Sequence, residues 1–445
     1  MSDVARNAVA RTAKLASLPL GAAGRATIGI GRRIGGRPAE MVTTEVQERT
    51  AEQVFRVLGE LKGGAMKFGQ ALSVFEAAMP EQFAGAYRAA LTRLQDSAPT
   101  MPAATVHSVL ARDLGADWRG RFQSLDDEPV AAASIGQVHR GVWQDGREVA
   151  VKAQYPGAGK ALRSDLGQIG RLSRLIAPVM PGIDVRALAD ELSERMVEEL
   201  DYRLEARAQA AFAEAYANEP DIAVPDVVHA TEHVLVTTWM PGRPLSSIIA
   251  PSSANQDDER ELRNTIGDQY VRFLFSGPAR TGMLHADPHP GNYRLLDDGR
   301  MGVLDFGAVS RFPDGFPPSI GRLMGAALVG DQDTVLAGLR DEGFIRPGTD
   351  VSAEAVYDYL APFLEPAAGD RFHFTRDWLQ QQFARVSDPR SPGYSLSLKI
   401  NLPPAYLLLH RVWMGGIGVL AQLSAEVPVR STLEQWLPGF ATHEV

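Results

Sequence analysis

Apolar and polar positions change period along the chain, and the changes predict its elements. Val46, Val54, Val57, Leu58 and Leu61 recur at helical spacing over Thr43–Leu61, predicting an amphipathic helix stopped by Gly63-Gly64. A second helix is expected from Ala65 through Leu72 and Phe75 to Pro80, and further helices over 81–117 with a break at Ala98–Pro102. Near Phe122 the pattern turns β-rich: Ser134–Trp143 and Arg147–Tyr155 read as strands paired across Asp145-Gly146. In the second of these, Val149 and Val151 share one face while Ala150 and Lys152 share the other. Asp184 is placed to cap a long helix toward Ala217, with Leu188, Leu192, Met196, Leu200 and Leu204 along its buried side. Val234–Trp239 is a β-branched run ended by Pro241-Gly242, and Pro251–Arg260 reads as a polar loop. Asn292–Leu296 and Met301–Asp305 flank an Asp-Asp-Gly turn, a hairpin signature. Beyond the Pro-rich stretch Phe312–Pro318, helical patterns run through Leu423.

Composition adds bounds. A chain of 445 residues with 45% hydrophobic and 22% charged residues is globular and long enough for two or three domains. Its net charge of −9 argues against nucleic acid as a partner. With no cysteine, disulfides, thiolate nucleophiles and Cys-based zinc sites are excluded. The most apolar helical stretch, Tyr406–Leu423, is interrupted by His410 and Arg411, so no transmembrane span is expected. Leu15–Ala23, bracketed by Lys14 and Arg25, is too short and Gly-rich for a signal peptide. The front end is nonetheless basic: residues 1–38 carry Arg6, Arg11, Lys14, Arg25, Arg32, Arg33 and Arg37 against Asp3 alone. Such a segment is either a solvated tail or a dock for anionic membrane lipid, each Lys or Arg contributing about 1 kcal/mol near the surface.

Candidate chemistry concentrates in His285–Gly307. A hairpin folds Asn292 back toward Asp305, and an amide oxygen converging with a carboxylate suits Mg²⁺, which takes one or two carboxylates plus the phosphates of its nucleotide. Asp287 then sits on a loop where a carboxylate can orient a nucleophile or receive its proton. His285 and His289 suggest zinc, but no third ligand accompanies them and Pro288 and Pro290 make the segment irregular. On the predicted strand, small Ala150 beside Lys152 leaves room for a flat base above an ammonium that reaches phosphates.

The spacing Asp287-x-x-x-x-Asn292 followed by Asp305-Phe306-Gly307 resembles the catalytic and metal loops of the protein-kinase-like superfamily, and Val149-Ala150-Val151-Lys152 resembles its lysine strand. Where such kinases carry a Gly-rich loop, this chain has Ala131-Ala132-Ala133-Ser134, a stiffer cover for phosphates. With Lys67-x-Gly69-Gln70, the run AAASIGQVH, Glu199-x-Asp201 and HADPHPGN, residues 45–320 resemble the UbiB-type (AarF-type) atypical kinase family.

That resemblance implies an α+β, two-lobed protein-kinase-like fold with a helical N-terminal extension. It implies four segments: a basic tail (1–40), the extension with Lys67 and Gln70 (41–120), an N-lobe (121–240) and a helical C-lobe (241–445). It further implies ATP or ADP with Mg²⁺. Lys152 would hold the α/β phosphates under Ala131–Ser134, the backbone at Thr238 and Met240 the adenine edge, Asn292 and Asp305 the metal, and Asp287 the nucleophile. Glu205 falls where the kinase helix glutamate pairs with the strand lysine, with Glu199 as the competing candidate. Glu199 and Asp201 match the motif that contacts Lys67 and Gln70, and the extension lies where a protein kinase receives its peptide. Implied partners are a nucleotide and an anionic or isoprenoid lipid, and the implied place is cytoplasmic, peripheral at the inner face of a membrane. The favoured expectation is a membrane-associated ATPase in lipid or isoprenoid quinone metabolism. A small-molecule kinase of aminoglycoside or choline type, and a nucleotide-sensing protein without turnover, remain open.

Overall fold

The computed structural model describes residues 100–133, 135–160, 162, 197–249, 256–387, 393, 396 and 399–441. Lys67, Gln70, Ser134 and the stretch 163–196 lie outside them, and with them the expected helices before residue 100.

Helix α1 (Ala103–Leu114) leads into strands β1 (Phe122–Leu125), β2 (Ala131–Ala133), β3 (Gly136–Trp143) and β4 (Glu148–Gln154). After helix α2 (Tyr202–Ala215) come β5 (Ile222–Ala223), β6 (Val227–Ala230) and β7 (Val234–Thr238). The first sheet has the order β1-β3-β4-β7-β6, with β2 paired to β3. The alternation read from the sequence decides its two faces. Val149 and Val151, fully buried, pack with Val106, Val109 and Leu110 of α1, while Ala150 and Lys152 are half-buried on the other side, the side α2 covers with Tyr202 and Ala206.

α2 is not the long helix expected from Asp184. The backbone at Asp201 is extended (φ −115°, ψ 97°), and its carboxylate accepts the Arg203 amide at 3.0 Å. A carboxylate that satisfies a first-turn N–H favours a helix start at that residue over a helix running through it. The N-terminal half of α2 faces the sheet, while Phe212 and Tyr216 beyond it enter a separate helical core. α2 thus ties the two parts together.

That second part begins with β8 (Arg243–Pro244), α3 (Leu245–Ile249) and α4 (Gln256–Thr281). Part of the expected Pro251–Arg260 loop is therefore helix. Asp257, Asp258 and Glu259 occupy the first turn of α4, where negative charge offsets the exposed N–H groups of a helix start. Next come β9 (Met283–His285), β10 (Tyr293–Leu295), β11 (Met301–Val303) and β12 (Val309–Arg311). β10 and β11 form the expected hairpin, Tyr293 opposite Val303 and Leu295 opposite Met301, and β9 pairs with β12. Helices α5 (Pro318–Leu328), α6 (Gln332–Asp341), α7 (Ala353–Ala368), α8 (Arg376–Ser387), α9 (Pro404–Leu423) and α10 (Val429–Trp436) complete this half. α4, α9 and α10 share its core through Tyr270, Phe273, Ile417 and Leu433. Among the described residues, no helix is long and apolar enough to cross a membrane.

Candidate active site

Three chain segments meet at Lys152. β4 carries its side chain on the α2 face, and its ammonium lies 2.8 and 3.0 Å from the two Glu205 oxygens and 3.4 Å from Asp305 Oδ2. Glu205, one turn into α2 and 5% exposed, is thus the acid that takes Lys152. The Tyr202 ring centroid stands 5.1 Å from the same ammonium. Burial disfavours the charged lysine, but Asp305 and Glu205 more than offset it and hold the Lys152 pKa well above its ordinary value. The ammonium therefore stays charged at neutral pH, as a phosphate ligand must.

Asp305 arrives at the end of the β10–β11 hairpin. Its Oδ1 accepts the Gly307 amide at 2.9 Å, and a Cβ at Gly307 would stand 3.2 Å from that oxygen and 3.5 Å from Glu205 Oε2. Glycine there lets the turn pass between the two carboxylates. The buried His285 imidazole braces the backbone from below, donating from Nε2 to the Asp305 carbonyl, while Nδ1 lies 3.3 Å from the Tyr293 hydroxyl. Phe306 packs against Phe212 of α2 and against His285, with ring centroids 4.9 and 5.4 Å apart. The position of Asp305 is thereby coupled to the helix that carries Glu205.

Asn292 donates from Nδ2 to the Asp287 carbonyl at 3.2 Å, and its own carbonyl accepts the Leu304 amide. Tyr270 holds the next residue, donating to the Pro288 carbonyl at 3.1 Å. His289 Nδ1 accepts the Gly291 amide at 3.0 Å, and burial pulls its pKa down against the opposing charge of Asp287. Both His285 nitrogens and this His289 nitrogen are thus engaged in bracing the loop. Among the described residues, no three His, Asp or Glu side chains converge as a metal site.

One expectation needs correction. Ala131–Ala133 is not a loop but strand β2, in register with Val138, Gln137 and Gly136, because the tight turn at Ile135 leaves the alanines directly opposite β3. Ile135, in that turn, is buried with Leu162, Leu200 and Tyr202, and its carbonyl accepts the Tyr155 amide at 2.9 Å. The cover is stapled at its tip. The Thr238 amide donates to the Asp226 carbonyl at 2.9 Å, so a backbone contact of this residue with an adenine edge would fall to its carbonyl. Met240, beyond the strand, lays its thioether over Gly302 of β11, where a Cβ would stand 2.2 Å from the sulfur. Asp201 is engaged locally, its carboxylate meeting Arg203 Nε at 2.8 Å, and Glu199 is half-buried just before it; Lys67 and Gln70 lie outside the described residues.

Sequence reasoning missed Tyr270, Tyr293 and the bracing role of His285. The signal for the histidine was its place two residues before Asp287, and the tyrosines carried none.

With this geometry in hand, the match of residues 93–338 to the ABC1 atypical kinase-like domain is decisive. The chain belongs to the ABC1 atypical kinase family. Over 395 residues it is 31% identical to the rat protein named atypical kinase COQ8B, mitochondrial, covering 87% of this chain and 72% of that one. It is 29% identical to the Caenorhabditis elegans atypical kinase coq-8, mitochondrial, over 77% of this chain, and spans 46% of that relative. A solved structure of Rv3197 from Mycobacterium tuberculosis, in complex with erythromycin, is 44% identical with a TM-score of 0.68, covering 91% of this chain and all of that one. The fold is accordingly the kinase-like α+β one, and this ABC1 chain is an enzyme of the atypical kinase class.

Proposed function

We propose that this protein binds ATP or ADP with Mg²⁺ and hydrolyses or transfers the γ-phosphate in lipid or isoprenoid quinone metabolism at a membrane surface. The observation that carries the reading is the meeting of Lys152, Glu205 and Asp305 within 3.4 Å. A charged lysine held by two carboxylates, one of them at the end of a hairpin, suits phosphates that need a cation and a metal together. The residues fit Mg²⁺: Asn292 and Asp305 offer hard oxygen donors, and an ion that keeps several waters and phosphate ligands needs few from the protein. Bound there, the metal would neutralise charge developing on the phosphates. Lys152 would hold the α/β phosphates, the backbone at Thr238 and Met240 the adenine edge, and Asp287 the attacking hydroxyl or water. Glu205 positions Lys152, and His285 positions Asp305. Lys67 and Gln70, with Glu199 or Asp201, would close the acceptor path.

Metabolic context comes from the COQ8-named relatives, and membrane contact from the basic residues of segment 1–38. The erythromycin complex of the mycobacterial relative favours a second reading, a small-molecule kinase. Mass balance on the purified protein separates them. Phosphate release without a phosphorylated product supports the ATPase, and label on a metabolite supports the small-molecule kinase. Absence of both would reject the enzymatic role and leave a nucleotide sensor.

A further inference from the structure

Past the end of β4 lies a cavity of about 220 Å³, lined by Arg112, Gln154–Gly157, Gly159, Lys160, Leu200, Glu232 and His233. None of these residues belongs to the nucleotide or metal set. Three separate segments bring nitrogen-bearing side chains to it, Arg112 from the end of α1, Lys160 from the chain after β4, and His233 from the β6–β7 turn.

Two of the three are held in place by one buried carboxylate. Asp113, whose side chain is 7% exposed, lies 2.7 Å from Arg112 Nη2 and 3.0 Å from His233 Nδ1, and Thr231 donates to it at 3.2 Å. Burial raises the Asp113 pKa, but His233 and Arg112 outweigh burial and lower it, so it remains an ionised anchor. Anchoring His233 through Nδ1 fixes the ring as one wall of the pocket, with Nε2 3.8 Å from Glu232 Oε1. Glu232, the one acid in the lining, is 54% exposed and stands 3.7 Å from Arg203. Lys160 has no carboxylate partner among the described residues.

The backbone adds room for a compact ligand. Gly157 adopts a left-handed φ of 79° and starts a turn in which the Lys160 amide donates to its carbonyl at 3.1 Å. Tyr155, also in the lining, turns its ring toward the α1 core.

We propose that this pocket binds a phosphate ester through Lys160 and Arg112, as a second ligand site separate from the nucleotide cleft. The volume accommodates one phosphate with a small carrier, and the donors match its charge and oxygens. The source is either a soluble phosphorylated metabolite or the headgroup of a phospholipid.

The test uses the full chain saturated with Mg-ADP, so that the cleft is filled. Calorimetric titration with glycerol 3-phosphate probes the soluble source. Co-sedimentation with phosphatidylcholine vesicles containing phosphatidic acid, against phosphatidylcholine alone, probes the lipid. Lys160→Glu removes an exposed side chain with no hydrogen bond or ion pair among the described residues, and Lys160→Gln removes only its charge should the first fail to fold. Saturable binding that weakens at least about tenfold in either Lys160 variant, with unchanged thermal denaturation, supports the site. Glycerol 3-phosphate binding then identifies a soluble ester, whereas vesicle binding alone with the same Lys160 dependence identifies a headgroup. Binding of neither probe, or equal binding by the Lys160 variants, overturns the proposal.

Discussion

Gly415 of α9 lies against Pro288, the residue after Asp287: a Cβ at 415 would stand 2.3 Å from Pro288 Cγ. A pyrrolidine ring cannot swing aside as a flexible side chain can, so Gly415→Ala must displace either α9 or the Asp287 loop. The neighbouring Gly416 is a control, since a Cβ there meets the movable Leu274 Cδ1 at 3.2 Å. ATP turnover should fall about 10²-fold in Gly415→Ala, the penalty for shifting a catalytic group by roughly 1 Å, and by far less in Gly416→Ala. Equal turnover in the two variants would show that the Gly415 contact does not position the loop.

Asp305 should be indispensable for the metal but not for the fold. Its carboxylate is replaceable in shape by an amide, and the Gly307 bond at 2.9 Å survives in Asp305→Asn. The variant should melt near the wild-type temperature while losing the Mg²⁺-dependent part of the shift given by ADP and by ATP. Thermal denaturation with each nucleotide, with and without Mg²⁺, checks this; a metal-dependent shift that persists sinks the assignment.

The Asp201 cap links stability to pH. The Arg203 hydrogen bonds lower the Asp201 pKa, and partial burial opposes them without cancelling them. A depressed folded-state carboxylate contributes stability that is full above the unfolded value near 3.9 and fades as pH falls through the folded value. Asp201→Ala should therefore cost about 1 kcal/mol at pH 7 and progressively less toward pH 3. Asp201→Asn keeps a capping oxygen and should recover most of the loss at pH 7. Urea denaturation across this range measures both.

What could be read in advance follows from which forces are local. Alternation around Val149 and Val151, and the turn at Asp297–Gly299, are short-range signals, and the corresponding strands formed with nearly the expected bounds. Asp201 misled because a capping carboxylate inside a run of helix-formers looks like any other acid until its partner Arg203 is seen. The alanine cover misled for a related reason. Three alanines have no intrinsic preference for a strand, and only pairing with Gly136–Val138 decides their conformation. The choice of Glu205 over Glu199 for Lys152 depended on that same helix start, which sets the face each acid occupies. Tyr270 and Gly415 act across distant segments on Pro288, and neither contact has a signature in one sequence.

The basic front end gives a salt-dependent prediction. If residues 1–38 dock on anionic lipid, deleting them should reduce co-sedimentation with anionic vesicles, and added salt should weaken the intact chain's binding by screening exposed charges. Neutral vesicles provide the baseline. Undiminished binding after the deletion would assign membrane contact to another surface.

The stapled alanine cover explains why loosening it should redirect chemistry instead of abolishing it. Ala133 pairs with Gly136, and a Cβ at Gly136 would stand 2.3 Å from the Ala153 carbonyl oxygen, so the hairpin presses on the lysine strand one residue from Lys152. Its tip is held twice, by buried Ile135 and by the Tyr155 amide on the Ile135 carbonyl. Glycine at 133 restores backbone freedom where the phosphates would pass, at the expense of strand order. Ala133→Gly should therefore change the preference between ATP and ADP and permit autophosphorylation that the wild type scarcely shows. Ile135→Ala should act in the same direction by freeing the tip, while also costing about 2 to 5 kcal/mol for the core methyls it deletes. Radiolabelled ATP with wild type, Ala133→Gly and Ala133→Gly/Asp305→Asn makes the measurement, and label in the first variant must vanish in the second. Phosphorylation of added proteins by the wild type at ordinary kinase rates would contradict the closed acceptor path and make the chain a protein kinase.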